Sequence, residues 1–435
     1  MKKQPFKTYL LVLLCFANSA YSQELLNLKV AIDTALYNNL GLIISRNEAT
    51  ITINNASPAN AGMLPKLDVN VGTSYSSLNL NQKFNTGVEI DKAGVGNKTF
   101  NGQLALTWTL FDGTKMFATY HKLEVLRDMG ELNVQIKTEE IILQVIKAYT
   151  DIVKQNILLR GTKKNFSLYE ERVKLADMKL KIGKSSKSEL LQASLDLNIQ
   201  KGNLIRQTTQ LNNAKLDLRR IMMQPLKSDF EVTDSLYIDR NIVLETTLND
   251  LESGNKQLQL LRMTQQQREH EIKEQESFFY PKVNLNAGYN FNSNASTQGL
   301  FLVNQNYGPM IGLTLNWNIY NGVQRKIVEN TKLQRENTRL LYDDTKITLQ
   351  NMVVNSWQRY HDAIELVNTE LESYQLSNEN LNIMSLRFKL NEATILELKD
   401  AQQANEDCVT RLANTYYDAK AAETDLLYLV GKLIK

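Results

Sequence analysis

The side chains that could do chemistry are few and scattered. His121, His270 and His361 lie far apart in sequence, none at a metal-ligand spacing and none accompanied by a Cys pair, so surface or packing roles are expected, with no metal and no cofactor. Paired carboxylates occur at Glu139-Glu140 and Glu170-Glu171, but within long charged stretches, where such pairs mostly face water. There is no Gly-rich phosphate loop, no nucleophile elbow and no His/carboxylate clustering at catalytic spacing. The sequence gives an enzyme nothing to work with.

Charge excludes a second class. The 435 residues carry 50 Lys+Arg against 47 Asp+Glu. The first 22 residues read as a signal peptide: Lys2, Lys3 and Lys7 precede an apolar core from Tyr9 to Ala17, and Ala20-Tyr21-Ser22 offers a small-x-small cleavage site. Their removal takes away three Lys and no acid, leaving 47 against 47 and no electrostatic case for nucleic acid. The large Leu14 before Cys15 argues against a lipid anchor, and Cys408, the one remaining cysteine, can form no internal disulfide. Mean hydropathy is -0.34. Beyond the leader no 18-residue apolar run exists, so any membrane role needs an architecture other than spanning helices.

The elements that position these residues come twice. Leu64-Pro65-Lys66-Leu67-Asp68-Val69-Asn70-Val71-Gly72 recurs as Tyr280-Pro281-Lys282-Val283-Asn284-Leu285-Asn286-Ala287-Gly288. Leu104 to Gly113 recurs as Leu313 to Gly322, and Leu180-Lys181-Ile182-Gly183 as Phe388-Lys389-Leu390-Asn391. Three pairs in the same order mark a duplicated unit of roughly 210 residues. The expected division is a first repeat over 23–225 and a second over 226–435, each a helix, two strands and two long helices.

Strict alternation predicts strands over about 66–76, 100–111, 282–292 and 309–320. One face is apolar (Leu67, Val69, Leu104, Leu106, Leu285, Leu313) and the other is rich in Asn and Thr. A soluble sandwich explains any one of these strands. Four strands of about ten residues also suit a transmembrane barrel, apolar to lipid and polar to a lumen, with Trp108, Phe111, Tyr289, Trp317 and Tyr320 as interfacial aromatics. Four strands cannot close a barrel, and open edges are not tolerated in lipid, so closure would need other copies. Three would give twelve strands.

Helices are expected over about 114–182, 185–223, 322–390 and 393–432. From Val323 to Val430 there is neither proline nor glycine. Val353, Trp357, Tyr360, Ile364, Val367, Leu371, Tyr374, Leu381 and Phe388 step by fours, threes and sevens, a coiled-coil seam; Tyr149, Ile152, Leu159, Phe166, Val173 and Leu180 trace a looser one. Gly183 and Asn391 are the residues best able to take the left-handed conformation that closes a helix. A soluble helical bundle remains the plain alternative.

In this order and double occurrence the motifs resemble the TolC-like outer membrane efflux proteins, over nearly the whole mature chain. The carriers are the two strand openings, the strand-to-helix turns at Asp112-Gly113 and Asn321-Gly322, and the tips at Gly183 and Asn391. The resemblance implies a mixed α and β homotrimer. Its twelve-stranded barrel sits in outer-membrane lipid and is continued by a periplasmic helical barrel, docked onto a periplasmic adaptor and an inner-membrane pump of the RND or ABC type. The rival reading is a periplasmic coiled-coil adaptor or scaffold without a pore.

The resemblance also implies a gate at the periplasmic tip. Glu397 and Asp400 match acidic positions that narrow the entrance, Glu189 with Ser188 matches the polar pair of the first tip, and Phe388 stands where relatives tend to have Tyr. Ala393 occupies a place where some carry an Arg that ties the closed state. A three-fold axis would turn each carboxylate into a ring of three, favouring cations. Gly183, Lys184, Asn391 and Glu392 lie in the regions that meet the adaptor. Leu25 to Leu40, about Gln224 to Ser253 and the C-terminus are expected to form a belt around the helices.

Overall fold

The computed structural model describes residues 24–224, 230–233, 237–298 and 301–433. The expected signal peptide lies outside them, as do residues 225–229 and 234–236 of the expected belt. Along the chain run β1 (Glu24–Leu26), α1 (Leu28–Asn38), α2 (Leu40–Asn55), β2 (Lys66–Lys83), β3 (Glu89–Phe111), α3 (Lys115–Lys181) and α4 (Lys187–Met222). Then follow β4 (Phe230–Val232), α5 (Leu244–Gly254), α6 (Lys256–Glu276), β5 (Lys282–Ser296), β6 (Val303–Asn316), α7 (Gly322–Lys389) and α8 (Ile395–Leu429). Two compact units share them: Ile44–Val134 with Lys256–Lys346, and the described residues up to Ile43 with Gln135–Asn255 and those from Ile347 onward.

The first unit is built on an antiparallel sheet of order β2-β3-β5-β6. Its register puts the alternating faces of all four strands in phase. Leu67, Leu106, Ala287 and Ile311 form one cross-sheet row and Val69, Leu104, Tyr289 and Pro309 the next; Trp108, Leu285 and Leu313 lie in a third. Between them, on the opposite face, run Lys66, Thr107, Asn286 and Gly312, then Asp68, Ala105, Gly288 and Met310; beyond them on that face follow Asn70, Gln103, Asn290 and Gly308, then Gly72, Asn101, Asn292 and Asn306. A one-residue slip in any pair would mix the faces. The apolar face is uncovered: Leu67, Val69, Ile311 and Leu313 are 62–79% exposed. From Val283 to Phe291 it spans about 26 Å along the strand, or about 20 Å at a tilt of about 40°, close to the lipid-facing band of a membrane barrel.

The strands differ from their sequence-based spans where the sequence turns polar. β2 continues to Lys83 and β3 begins at Glu89, because backbone pairing needs no apolar side chain. A register shift between Leu78 and Leu80 interrupts the hairpin, where the Asn79 side chain accepts the Gly94 N–H at 3.0 Å. β6 starts earlier than expected, at Val303, and ends at Asn316, leaving Trp317, Ile319 and Tyr320 beyond the ladder.

In the second unit the helices pack along two seams. On α7, Val353, Tyr360, Val367, Leu381 and Phe388 are buried in the expected heptad frame, whereas Leu371 is exposed. On α3 the frame holds through Tyr149, Ile152 and Leu159 and then departs from expectation. Phe166, Val173 and Leu180 are only half-buried, and the buried track is Asn165, Tyr169, Arg172 and Ala176. The reason is polar pairing: Arg172 is neutralised and hydrogen-bonded where it lies, so it can occupy a core position that a hydrophobic pattern assigns to its neighbour.

The N-terminal segment buries Ala31 and Ala35 but leaves Val30 exposed. Asn27 caps α1 by accepting the Val30 N–H at 2.8 Å. β1 pairs in parallel with β4. The Tyr149 hydroxyl donates to the Leu26 carbonyl at 3.0 Å and accepts the Thr233 N–H at 3.0 Å, tying both short strands to α3.

Candidate functional site

The helix ends at Gly183 and Asn391 are the same motif. Gly183 has φ 73° and Asn391 φ 65°. The Lys184 N–H bonds the Lys179 carbonyl at 2.8 Å and the Gly183 N–H the Leu180 carbonyl at 3.0 Å; Glu392 to Arg387 (2.8 Å) and Asn391 to Phe388 (3.2 Å) repeat the pattern. These paired bonds satisfy the last carbonyls of α3 and α7 and turn the chain sharply. Lys184 and Glu392 are exposed beside the turns.

The carboxylates near the tips have different surroundings. Glu397 closes a capping box: Thr394 accepts the Glu397 N–H at 3.2 Å, and the Glu397 carboxylate accepts the Thr394 N–H at 2.6 Å and its hydroxyl at 2.9 Å. That backbone N–H, followed by the hydroxyl, holds the Glu397 carboxyl below its usual range. Glu189 is the first-tip counterpart, bonded to Ser185 through its carboxylate and to the Ser186 side chain through its N–H at 3.2 Å. Thr394-Ile395-Leu396-Glu397 and Ser186-Lys187-Ser188-Glu189 both carry the S/T-x-x-E signature of a helix start. Asp400 and Ser188 are exposed. Phe388 is buried with Leu381, Leu398 and Ala401, and the Lys179 ammonium lies 4.1 Å from its ring centre.

At the strand-to-helix turns Asp112 accepts the Met116 N–H at 3.1 Å, and Asn321 accepts the Gln324 N–H at 3.1 Å, so both side chains cap the helices that follow. The two glycines are not equivalent. Gly113 has φ 73°, and a Cβ there would fall 2.5 Å from the Ser277 carbonyl oxygen and 2.7 Å from Tyr280 Cβ; Gly322 has neither restriction. Beside the turns, the Trp108 indole donates to the Met63 carbonyl at 2.9 Å and that of Trp317 to the Phe279 carbonyl at 3.1 Å. Both repeats thus anchor an amphipathic aromatic at the same edge of the apolar face.

The family model of the outer membrane efflux proteins matches the chain twice, over residues 31–222 and 247–432. The chain belongs to the outer membrane efflux protein family. Solved structures agree on the fold. The CmeC outer membrane channel of Campylobacter jejuni superimposes with a TM-score of 0.79 at 17% identity, covering 94% of this chain and 86% of that one. A membrane protein from Pseudomonas aeruginosa gives 0.77 at 14%, with 94% and 92% covered. The open state of the Neisseria gonorrhoeae MtrE outer membrane channel gives 0.72 at 15%, with 93% and 88%. No curated protein sequence matches significantly.

For an outer membrane efflux protein, the uncovered apolar face, the polar face opposite and the paired tips become parts of one device. Sequence reasoning missed two of its fixings. Tyr149 and Tyr360 were placed on the coiled-coil seams, and they are also clamps, since Tyr360 donates to the Asp239 carbonyl as Tyr149 does to that of Leu26. The other is the buried group around Arg172. Its guanidinium pairs with Asp196 on α4 and donates to Gln402 on α8 at 3.2 Å, and Lys399 reaches Asp196 at 3.3 Å. A single polar residue carries no period, so no pattern reveals such a cluster.

Proposed function

We propose that three copies assemble into a passive export conduit in the outer membrane, closing a twelve-stranded barrel and pooling their helices into a periplasmic tunnel. The observation that carries this reading is the register-aligned sheet, whose apolar face carries exposed residues on all four strands and whose outer edges, on β2 and β6, have no further strand beside them among the described residues. A pore-free adaptor would need no such sheet. The lumen would be lined by Asn70, Asn101, Gln103, Asn290 and Asn292, with Lys66 and Asp68 paired at 3.0 Å and Lys282 on the same face, a polar surface that suits transit without tight binding. Such a conduit does no chemistry of its own and is driven by an inner-membrane RND or ABC pump through an adaptor.

The gate reading is refined by the capping geometry. Glu397 and Glu189 spend their carboxylates on local bonds, while Asp400 is exposed one turn further along α8. Three Asp400 carboxylates would supply the cation-favouring ring, with Glu397, Glu189 and Ser188 shaping its rim and Phe388 anchoring the hairpin behind it. The tips around Gly183, Lys184, Asn391 and Glu392 would receive adaptor helices. The test is direct. The protein should be recovered from outer membranes as a heat-modifiable trimer, and the purified trimer should carry cation-selective current in planar bilayers, with selectivity reduced by Asp400→Asn. A well-folded monomer in detergent-free buffer would overturn the proposal.

A further inference from the structure

Two cavities flank the strand-to-helix turn at Asp112-Gly113. The larger, about 690 Å³, is lined by Thr109, Lys282 and Asn316 of the polar sheet face, with Lys115 and Thr119 from α3. The smaller, about 340 Å³, takes Gly113, Phe117 and His121 from one chain segment and His270, Lys273 and Tyr280 from the other. At about 100° per residue, Phe117 and His121 lie on the side of α3 roughly opposite Lys115 and Thr119. The smaller cavity therefore opens away from the polar face, below the end of the apolar one.

Its chemistry suits a membrane interface. Phe117 and Tyr280 are exposed, and they extend the apolar face towards the helices from Phe111 and Val283, which are paired across β3 and β5. Lys273 is exposed and makes no ion pair among the described residues. The acids nearby already have partners: Glu276, in the cavity wall, is held by Lys332 at 2.8 Å, and Glu124 lies 2.9 Å from Nδ1 of His121. His270 Nδ1 is buried without a hydrogen-bond partner among the described residues. Burial, then Lys273 and His121, push this imidazole below its ordinary value, so at neutral pH it is uncharged with one N–H to donate. An unpartnered polar atom in a cavity wall is a place for a ligand atom to bond.

The heights agree with a lipid headgroup. The polar layer of a bilayer is about 5–7 Å thick on each side of the hydrocarbon. Phe117 stands about 6 Å along α3 from Gly113, and Lys273 about 6 Å before Ser277 on α6, so the Lys273 ammonium on its flexible stem reaches that layer. We infer that the smaller cavity binds the phosphate headgroup of a glycerophospholipid from the periplasmic leaflet, one per copy. Lys273 pairs with the phosphate, His270 supplies a further donor, and Phe117 and Tyr280 lie against the glycerol and the first methylenes of the chains. The inference rests on the barrel placement proposed above and not on the passage of any solute.

The test uses trimers purified in detergent, with phosphatidylglycerol, diacylglycerol of the same chains and inorganic phosphate as the three probes. Bound lipid is counted by native mass spectrometry beside the melting temperature. The variants are Lys273→Gln at an exposed position, Lys273→Arg as the conservative form, and Lys115→Gln, which removes a cation from the polar-face side of the same turn. Wild type, Lys273→Arg and Lys115→Gln should hold one phosphatidylglycerol per copy and melt higher with it. Lys273→Gln should need about ten times more lipid for the same occupancy, the loss of one charge-assisted bond. Diacylglycerol and inorganic phosphate should leave the melting temperature unchanged. Wild-type occupancy in Lys273→Gln trimers overturns the inference, and so does an equal fall in Lys115→Gln, which would assign the effect to net charge. A melting shift reproduced by inorganic phosphate makes this a site for free anions and overturns the lipid assignment. A wild-type protein that yields no trimer from outer membranes overturns the barrel reading, and the inference with it.

Discussion

Replacing Gly183 separates the folding of the tip from what docks on it. At φ 73° the backbone is left-handed, and a Cβ added there meets nothing within 4 Å. The cost of Gly183→Ala is then the conformational penalty alone, about 1–2 kcal/mol. Asn adopts this region more readily than Ala, as Asn391 does at φ 65° in the matching turn, so Gly183→Asn should cost about 1 kcal/mol or less. Gly183→Trp pays a backbone cost like that of Ala and adds a bulky side chain on an open surface. The three variants should therefore assemble as trimers with melting points within a few degrees of one another. Adaptor binding should not follow that order. If the tip receives adaptor helices, the Asn variant keeps co-purification of the adaptor and export, and the Trp variant loses both. Adaptor capture by the Trp variant at the wild-type level would refute the docking proposal. Equal failure of the Asn and Trp variants would assign the defect to the turn itself.

Other expectations follow from the caps, the indoles and one buried carboxyl. Thr394→Ala removes the side-chain half of the capping box on α8 and leaves the residue-394 N–H on the Glu397 carboxylate; it costs about 1 kcal/mol and should raise amide exchange in the first turn of that helix about fivefold; unchanged exchange would dismiss the cap as a support. Trp108→Phe and Trp317→Phe each lose one indole bond to a carbonyl, and each should lower trimer stability by about 1 kcal/mol in thermal melts. Burial pushes the Glu406 carboxyl above its ordinary value of 4.5. The unfolded chain therefore releases that proton first, and the contribution of Glu406 to stability falls as pH rises from the ordinary Glu range to the folded value, then stays level. Glu406→Gln should raise the melting temperature at neutral pH and remove that slope; an unchanged pH profile would count against it. Glu397 has the opposite sign, its contribution being present above the ordinary Glu range and lost as pH falls through its lowered folded value.

What the sequence made legible tracks side-chain periodicity. Leu67, Val69, Leu285 and Leu313 announce their strands because alternation with Asp, Asn and Thr is the imprint of a two-faced sheet, and the same imprint sets the register. Gly183 and Asn391 mark helix ends because few residues tolerate left-handed backbone. Residues 77–83 are hard to read as a continuation of the strand because the alternation changes phase: Leu78 and Leu80 fall in the frame that earlier holds Asp68, Asn70 and Gly72, at the register shift. The track of Asn165, Arg172 and Gln402 was hidden for a related reason: a buried polar residue is defined by its partners, and those lie on other helices, up to 230 positions away in the chain. The capping box at Thr394 and the Ser186 cap have a legible S/T-x-x-E signature, but an acid beside a helix turn reads first as a charge and only then as a partner of nearby backbone and hydroxyl groups.

That bond-first logic also decides how many copies the barrel takes. About ten residues of each strand can lie in hydrocarbon, and along an edge every second residue turns its N–H and C=O outward. Two open edges would leave about twenty unpaired groups at several kcal/mol each. The total far exceeds the 5–15 kcal/mol that ordinarily separates a folded domain from its unfolded chain, so a lone copy in lipid is excluded on backbone grounds alone. Two copies would pair every edge, but an eight-stranded barrel has an interior that side chains fill. The inward rows here hold Gly72, Gly288, Gly308 and Gly312 among their Asn and Thr, too little volume to fill one and too polar to pack dry. Twelve strands, from three copies, both satisfy the edges and leave those side chains in water. The β2 edge of one copy should then pair with the β6 edge of the next, and a disulfide between cysteines placed at facing positions on the two edges should link copies into covalent trimers. Covalent dimers that resist conversion to trimers would send the strand count back to eight.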